Sequence, residues 1–195
     1  AAPEVAPESQ IFSGALSITV DIPEGVTLRY TMDGSTPTME NGRTSTTGKL
    51  STSGTRVYRF ALFQDGCLSS PVVTRSYIKR DKSFNIPVVS VVTDPDHLYD
   101  PTIGFLTKGT NGRRGKGTSE YCNWNHDWDR PVNFEMLDPQ TGKSLINMEA
   151  DMSRCGGHSK GFTPFSFKIK AGKEYEGQNY LDYQFFPDKP YLKHK

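Results

Sequence analysis

The segment around Gly156 and Gly157 combines residue types that can contact a phosphate group. Arg154 precedes the two glycines, and Ser159 and Lys160 follow them. Glycines let the backbone approach a ligand closely, and a fixed positive charge offsets the charge of a phosphate. The same residues also suit a bulged turn between two strands that carries a surface lysine. The residues themselves do not decide between the two interpretations.

Three aromatic residues, Tyr121, Trp124 and Trp128, are candidates for a carbohydrate-binding platform. The flat face of an aromatic ring suits the apolar face of a pyranose. A place in a hydrophobic core or in a contact between domains is the more common role of tryptophan. We favour that role here, with sugar stacking as the alternative.

The chain has three cysteines, Cys67, Cys122 and Cys155, so at most one disulfide can form. Cys122 and Cys155 together with His126 and His158 supply the ligand types of a structural zinc site, but their spacing matches no common zinc finger. A bridge between Cys122 and Cys155 would exclude zinc. We favour free, buried thiols over both and predict no metal site.

A basic, glycine-rich stretch over residues 109–117 contains Arg113, Arg114 and Lys116. It matches neither Gly-x-x-x-x-Gly-Lys-Ser/Thr nor Gly-x-Gly-x-x-Gly, because a glycine follows Lys116. Its composition is typical of a solvated segment. We therefore predict an exposed loop over residues 108–120.

Asp94, Asp96 and Asp100 lie close enough in sequence to suggest calcium, but they lack the residue order and the distal glutamate of a calcium loop. Asp94 followed by Pro95 instead predicts the N-cap and the first turn of a short helix. The sequence contains no Gly-x-Ser-x-Gly string that would indicate a hydrolase.

The elements that position these residues are predicted to be mainly β-strands. Over residues 16–22 and 26–32, apolar and polar residues alternate, which predicts a hairpin with one buried face. Residues 55–64 and 68–78 flank a tight-turn Asp-Gly pair and predict a second hairpin. Pro71 predicts an edge strand or a bulge there. Several short strands without intervening helices indicate a β-sandwich.

A charged connector at residues 79–83 predicts two domains, a sandwich over residues 1–79 and a β-rich α+β region over residues 84–195. Residues 87–92 are almost continuously apolar, which predicts a strand covered on both faces. The last residues, 180–195, show no pattern that would close the domain. Further strands are predicted from alternation over residues 132–136, 146–152 and 165–169.

The composition of the 195-residue chain excludes two classes of partner. Its 23 basic and 22 acidic residues nearly cancel, so no net field favours nucleic acid or an anionic membrane. No apolar run is long enough to span a bilayer. The chain begins with Ala1 rather than methionine, which indicates that an upstream segment has been removed.

Three strings in the first half of the chain carry a family resemblance: IFSG at residues 11–14, LRYTMDGSTP at residues 28–37 and SSPVV at residues 69–73. Over about residues 8–78 the chain resembles the chitobiase/β-hexosaminidase C-terminal module. The resemblance implies an immunoglobulin-like accessory domain, frequently attached to secreted bacterial proteins that act on glycans. It brings no catalytic residues.

The second half carries another ordered set of strings. They are IPVVSVVTDP at 86–95, GFL at 104–106, NW at 123–124, RPV at 130–132, GGHSK at 156–160 and FF at 185–186. From about residue 84 the chain resembles the CotH (spore-coat protein H) kinase-like family. The resemblance implies the N-terminal lobe of an atypical protein kinase fold that uses ATP with Mg²⁺ or Mn²⁺. It favours Arg154, Ser159 and Lys160 as nucleotide-binding residues.

Two departures from that family limit the expected activity. The family usually has lysine before its Ser-Phe pair, where this chain has Phe165, and its metal-binding and catalytic aspartates lie beyond residue 195. We therefore expect a non-catalytic fragment of an exported modular envelope protein, whose parent is an atypical kinase for a secreted protein substrate. The alternative is a cell-surface protein that binds a glycan or mediates adhesion and has a degenerate kinase-like lobe.

Overall fold

The computed structural model describes residues 1–115, 120–177 and 179–194, without the side chains of His158 and Glu176. Within these residues the chain is mainly β, which confirms the predicted class. No helix in the described ranges is long and apolar enough to cross a membrane.

The chain forms two compact units. Unit 1 comprises Ala1–Val92 and Glu135–Asn147, and unit 2 comprises Thr93–Phe134 and Met148–Lys195. The charged connector predicted at residues 79–83 lies inside unit 1.

Short strands from residue 5 to residue 79 form two sheets in unit 1. The strands are β1 (Val5–Ala6), β2 (Gln10–Phe12), β3 (Leu16–Val20), β4 (Thr27–Thr31), β5 (Arg43–Ser45), β6 (Lys49–Thr52), β7 (Arg56–Phe63) and β8 (Val73–Lys79). One sheet has the strand order β1-β3-β6 and the other β2-β8-β7-β4-β5. The pairs are antiparallel except for β2 and β8, which are parallel.

A single hydrophobic core contains side chains from both of these sheets, so the strands form a β-sandwich. Ile18 comes from the three-stranded sheet, and Leu28, Phe60 and Tyr77 come from the five-stranded sheet; all four are fully buried. Ile18 and Leu28 occupy apolar positions of the predicted alternation, so the buried face predicted for residues 16–22 and 26–32 is confirmed.

The first predicted hairpin is wrong. β3 pairs with β1 and β6, whereas β4 pairs with β5 and β7, so the two strands lie in different sheets. The turn around Gly25 carries the chain from one sheet to the other. A period of two identifies the buried face of a strand but not its partner, and both arrangements bury the same residues.

The second predicted hairpin is confirmed, because β7 and β8 pair with Phe60 opposite Val73. Pro71 lies before β8 begins, so its missing N–H falls outside the ladder. β8 lies between β2 and β7, and the prediction of an edge strand is therefore wrong.

The rest of the chain contains the strands β9 (Val88–Val92), β10 (Arg113–Arg114), β11 (Tyr121–Cys122), β12 (Asp129–Leu137), β13 (Ser144–Arg154), β14 (Phe167–Lys170), β15 (Leu181–Asp182) and β16 (Lys193–His194). They form a four-stranded sheet with the order β14-β13-β12-β9 and two short strand pairs, β10-β11 and β15-β16. The helices are α1 (Pro95–Tyr99) and α2 (Lys173–Glu176), with 3-10 turns at Asn123–Asn125 and His158–Gly161.

Three local predictions for this region have clear outcomes. The strands predicted within β12 and β13 are confirmed. The strand at 87–92 also forms, but Val89 is 53% exposed and Val91 39% exposed. Only the face with Val92 is buried, so the prediction of two covered faces is wrong. An apolar run shows only that both faces of a strand carry apolar side chains. Whether the second face is covered depends on residues that are distant in sequence.

Candidate functional site

A basic cleft in unit 2 brings together residues from two segments that are far apart in sequence. Its volume is about 270 Å³. The lining includes three cations and one carboxylate. The residues are Arg113, Arg114, Gly115, Asn125, Asp127, Gly156, Gly157 and Lys160.

The β10-β11 pair positions the two arginines of this cleft. Arg114 lies opposite Tyr121 in the strand register. The side-chain amide of Asn125 donates a hydrogen bond of 2.8 Å to the carbonyl oxygen of Arg113, which fixes the backbone there. The sequence predicted an exposed loop over residues 108–120. Both arginines are indeed exposed, but they form the short strand β10, which was not predicted. Lys116 lies outside the described residues.

Lys160 enters the cleft from the 3-10 turn that follows the two glycines. Its Nζ lies 3.2 Å from Asp127 Oδ1, and its side chain is only 14% exposed. Arg113 Nη1 lies 3.9 Å from Asp127 Oδ2. The hydrogen bond from Lys160, together with its charge, holds the pKa of Asp127 below its usual value. Asp127 therefore holds two of the three cations at one place.

The backbone conformation of the turn explains part of the requirement for glycine at residues 156 and 157. At Gly156 the backbone has a φ of 109°, and an added Cβ would lie 2.5 Å from the hydroxyl oxygen of Ser159. The backbone angle alone therefore favours glycine at residue 156 without any ligand. Ser159 is exposed and does not line the cleft. The predicted group thus separates, with Lys160 and the glycines in the cleft and Ser159 beside it.

Arg154 is buried and lies apart from the lining of the basic cleft. Its guanidinium carbon lies 4.4 Å from the centre of the Phe165 ring and 5.8 Å from that of Phe167. Within the described residues, Nε, Nη1 and Nη2 have no hydrogen-bond partner. Burial lowers the pKa of Arg154. The aromatic rings offset part of the cost of burying this charge through cation–π contacts.

The three aromatic residues predicted as a carbohydrate platform have separate surroundings. Trp128 stacks on His126 with ring centres 4.1 Å apart, and the Arg130 guanidinium lies 4.6 Å from its ring. Tyr121 is exposed. Across the described part of the chain, no ring contact joins Tyr121, Trp124 and Trp128.

Trp124 lines a second cleft of about 180 Å³. Phe162, Cys122 and Glu120 also line it, and it shares Asn125 and Gly157 with the basic cleft. Aromatic and basic linings therefore adjoin in unit 2.

The cysteines are all free. Cys122 is buried as predicted, and its burial raises the pKa of the thiol. Cys155 is exposed, so the prediction of a buried thiol is wrong for this residue. In the described ranges no group of three or more His, Cys, Asp or Glu residues can hold a metal ion. The side chain of His158, one of the four possible zinc ligands, is not described.

The acidic residues near α1 have structural roles. Asp94 accepts a hydrogen bond of 3.1 Å from the backbone N–H of Asp96, which confirms the predicted N-cap. Asp100 Oδ1 accepts from the N–H and the hydroxyl of Thr102 and from the N–H of Ile103. These bonds lower the pKa of Asp100.

Asp127 and Asn125 line the cleft but were not predicted from the sequence. The partners of Asp127 are Arg113 and Lys160, which lie 14 positions before it and 33 positions after it. A local motif search does not detect such a group. In the sequence, only the basic pair Arg113 and Arg114 beside Gly115 pointed to the part of the cleft that residues 113–127 line.

Comparison with known proteins supports the first of the two resemblances. Residues 7–74 match the Chitobiase/beta-hexosaminidase C-terminal domain family, which covers most of the sandwich. The recognition of that module is therefore confirmed over these residues. Nothing in the comparisons shows a CotH kinase-like domain. No curated protein and no solved structure matches the chain.

Proposed function

We propose that the chain is part of an exported modular protein of the cell envelope, in which the sandwich is an accessory module. Residues from 84 onward are, in this proposal, the N-terminal portion of a CotH kinase-like domain that binds the phosphates of a nucleotide. The match to a chitobiase-type module supports an extracellular or envelope location. The parent protein would act on a secreted protein substrate.

The basic cleft carries the proposal. Arg113, Arg114 and Lys160 supply three positive charges against the single carboxylate of Asp127. Guanidinium and ammonium groups are the side chains that proteins use to contact phosphate oxygens. Lys160 is the best-placed phosphate contact, because its salt bridge and low exposure restrict its side chain. Arg154 and Ser159 also remain predicted nucleotide contacts. The guanidinium nitrogens of Arg154 have no hydrogen-bond partner among the described residues, and Ser159 is exposed.

The described residues suit one of the two expected cofactors, ATP, better than the other, the divalent metal ion. The cations of the cleft suit the phosphates of ATP. The described residues contain no cluster that can hold Mg²⁺ or Mn²⁺ by itself. We therefore expect nucleotide binding by this chain without phosphoryl transfer.

Thermal unfolding of the chain with ATP and either Mg²⁺ or Mn²⁺ tests the proposal. Binding stabilises the folded state by about 2.7 kcal/mol at a ligand concentration a hundredfold above Kd. We expect the unfolding midpoint to rise with ATP and the rise to disappear in Lys160→Met. Lys170→Met is the matched control, because Lys170 also pairs with an aspartate, Asp129, at 2.7 Å but lies outside the cleft.

A midpoint that does not respond to ATP, or an equal loss of the response in Lys170→Met, contradicts nucleotide binding at the basic cleft. The alternative function is glycan binding by a degenerate lobe, and the cleft lined by Trp124 and Phe162 favours it. Calorimetric binding of a neutral N-acetylglucosamine oligomer that is lost in Trp124→Ala, with no response to ATP, would support this alternative.

A further inference from the structure

Two arginines of the sandwich lie on the face of the sheet that bears the hydrophobic core. Arg43 of β5 is directly opposite Tyr30 of β4, and Tyr30 belongs to the core. Directly opposed residues of a strand pair have their side chains on the same face of the sheet. Arg56 of β7 is two positions before Tyr58, another core residue, so it shares that face as well.

Both arginines are exposed even though they occupy core-facing positions, because they lie where the five-stranded sheet ends. They border an open cleft of about 350 Å³ that Tyr30, Asp33 and Asn41 also line. Arg43 and Arg56 thus belong to the lining of one and the same cleft, although they come from different strands of the sheet.

Neither guanidinium has a carboxylate partner in the described residues. No salt bridge to Arg43 or Arg56 is formed there, and Arg56 Nη1 donates a hydrogen bond of 3.2 Å to the backbone oxygen of Thr55. Two guanidinium groups that line one cleft and have no carboxylate bonded to either of them repel each other. A bound oxyanion would relieve that repulsion, and a guanidinium can contact one through two parallel N–H groups.

The other polar groups of the cleft restrict the ligand. Asp33 Oδ1 accepts hydrogen bonds from the N–H and the hydroxyl of Ser35, which fixes the carboxylate in the lining. A fixed carboxylate repels a dense polyanion such as an acidic peptide or a polyphosphate. It accepts hydrogen bonds from hydroxyl groups. The ligand should therefore carry an isolated anionic group among hydroxyls.

We propose that this end of the sandwich binds a carboxylate-bearing saccharide of the uronic acid type. Arg43 and Arg56 contact the carboxylate, and Asp33 and Asn41 contact hydroxyl groups. The proposal does not rest on nucleotide binding by unit 2.

Protection of a sheet edge is the competing explanation, since inward-pointing charges on edge strands hinder aggregation. It suits Arg43, because β5 is the last strand of its sheet. It suits Arg56 less well, because Arg56 pairs with Tyr77 of β8 on one side, although β4 ends opposite Arg59 and leaves its other side unpaired. A shared ligand accounts for both arginines.

Calorimetric titration of the full chain with a galacturonic acid trimer tests the site. We expect saturable binding that weakens at least tenfold in Arg43→Met and in Arg56→Met, and less in Arg43→Lys, which keeps the charge but loses the planar fork. A neutral galactose trimer should not bind. Lys160→Ala should bind like the parent chain, which separates this site from the basic cleft of unit 2.

Four outcomes would overturn the proposal: no binding of the acidic trimer, equal binding of the neutral trimer, equal binding of a tetraglutamate peptide, or unchanged affinity in both Met variants. Sodium sulfate at matched ionic strength should compete weakly and should not reproduce the heat of the trimer. Since both arginines are exposed, we expect the variants to fold, and circular dichroism verifies this.

Discussion

At the scale of single residues, Glu135 stands out in unit 1. It is fully buried, and neither carboxylate oxygen has a hydrogen-bond partner among the residues that the structure describes. Burial raises the pKa of Glu135, and the nearby Ser76 and Ser9 and the charge of Arg75 offset only part of this effect. Burial thus favours the neutral form of Glu135 over the ionised form, because the charge of a carboxylate is costly to bury.

This raised pKa predicts how stability depends on pH. The folded state holds the proton more tightly than the unfolded state, whose glutamate pKa is about 4.3. The stability that this group contributes is therefore complete below that value and is lost as pH rises through the folded pKa, at roughly 1.4 kcal/mol per pH unit at most. We expect Glu135→Gln to match the wild type at low pH and to exceed it in unfolding free energy as pH rises, as measured by urea denaturation.

Asp138→Asn is the control for this pH dependence, and its effect should have the opposite sign. Hydrogen bonds from the N–H groups of Thr141 and Gln140 lower the pKa of Asp138, so its contribution is present at higher pH and is lost as pH falls. Parallel pH profiles for the wild type and Glu135→Gln would show that folding does not raise the pKa of Glu135.

At the scale of elements, the turn between β12 and β13 lies against β2 within unit 1. The N–H of Ile11 donates a hydrogen bond of 2.8 Å to the carbonyl oxygen of Gly142, and Gln10 forms a bridge with Lys143. At Gly142 φ is 76°, and an added Cβ would lie 2.6 Å from the carbonyl oxygen of Ile11. Glycine is therefore required here both by the backbone angle and by this close approach.

Gly142→Ala should lower the free energy of unfolding by roughly 2–3 kcal/mol, since it adds strain and displaces a hydrogen bond. Gly25→Ala is the matched control. Gly25 has a φ of 74°, but an added Cβ there meets nothing within 4 Å. We expect it to cost about 1 kcal/mol, from backbone strain alone. Equal losses in chemical denaturation would mean that the contact with Ile11 contributes nothing.

At the scale of the whole molecule, unit 1 joins the sandwich to a distant part of the chain. Residues 135–147 belong to the same compact unit as residues 1–92, although the sequence places them in the second predicted domain. If this unit unfolds cooperatively, a change in the sandwich core should weaken the hydrogen-exchange protection of residues 135–147.

Phe60→Ala provides this test. Phe60 is fully buried and stacks on Tyr58 with ring centres 5.6 Å apart, so its removal should cost about 3–5 kcal/mol. We expect hydrogen exchange to accelerate in residues 135–147 as well as in the sandwich. Phe186→Ala removes an exposed ring and should leave these residues unchanged. Unaltered protection of residues 135–147 in Phe60→Ala would assign them to a separate cooperative unit.

Local features of the molecule were predictable from the amino-acid sequence. The buried faces of β3 and β4, the β7-β8 hairpin and the N-cap at Asp94 all follow from residues a few positions apart. The same is true of the chitobiase-type string, whose family match covers residues 7–74. Each depends on side-chain period or on turn and capping chemistry, which are properties of a short segment.

Tertiary structure alone decided which strands share a sheet and which charges share a cleft. β3 and β4 have the pattern of a hairpin, but pairing with β6 and β7 places them in opposite sheets. Asp127 gains its role only because the fold brings Arg113 and Lys160 to it. The exposure of Val89 likewise depends on what the fold places over that face. Pairing and burial are properties of residues distant in sequence, and a local pattern does not encode them.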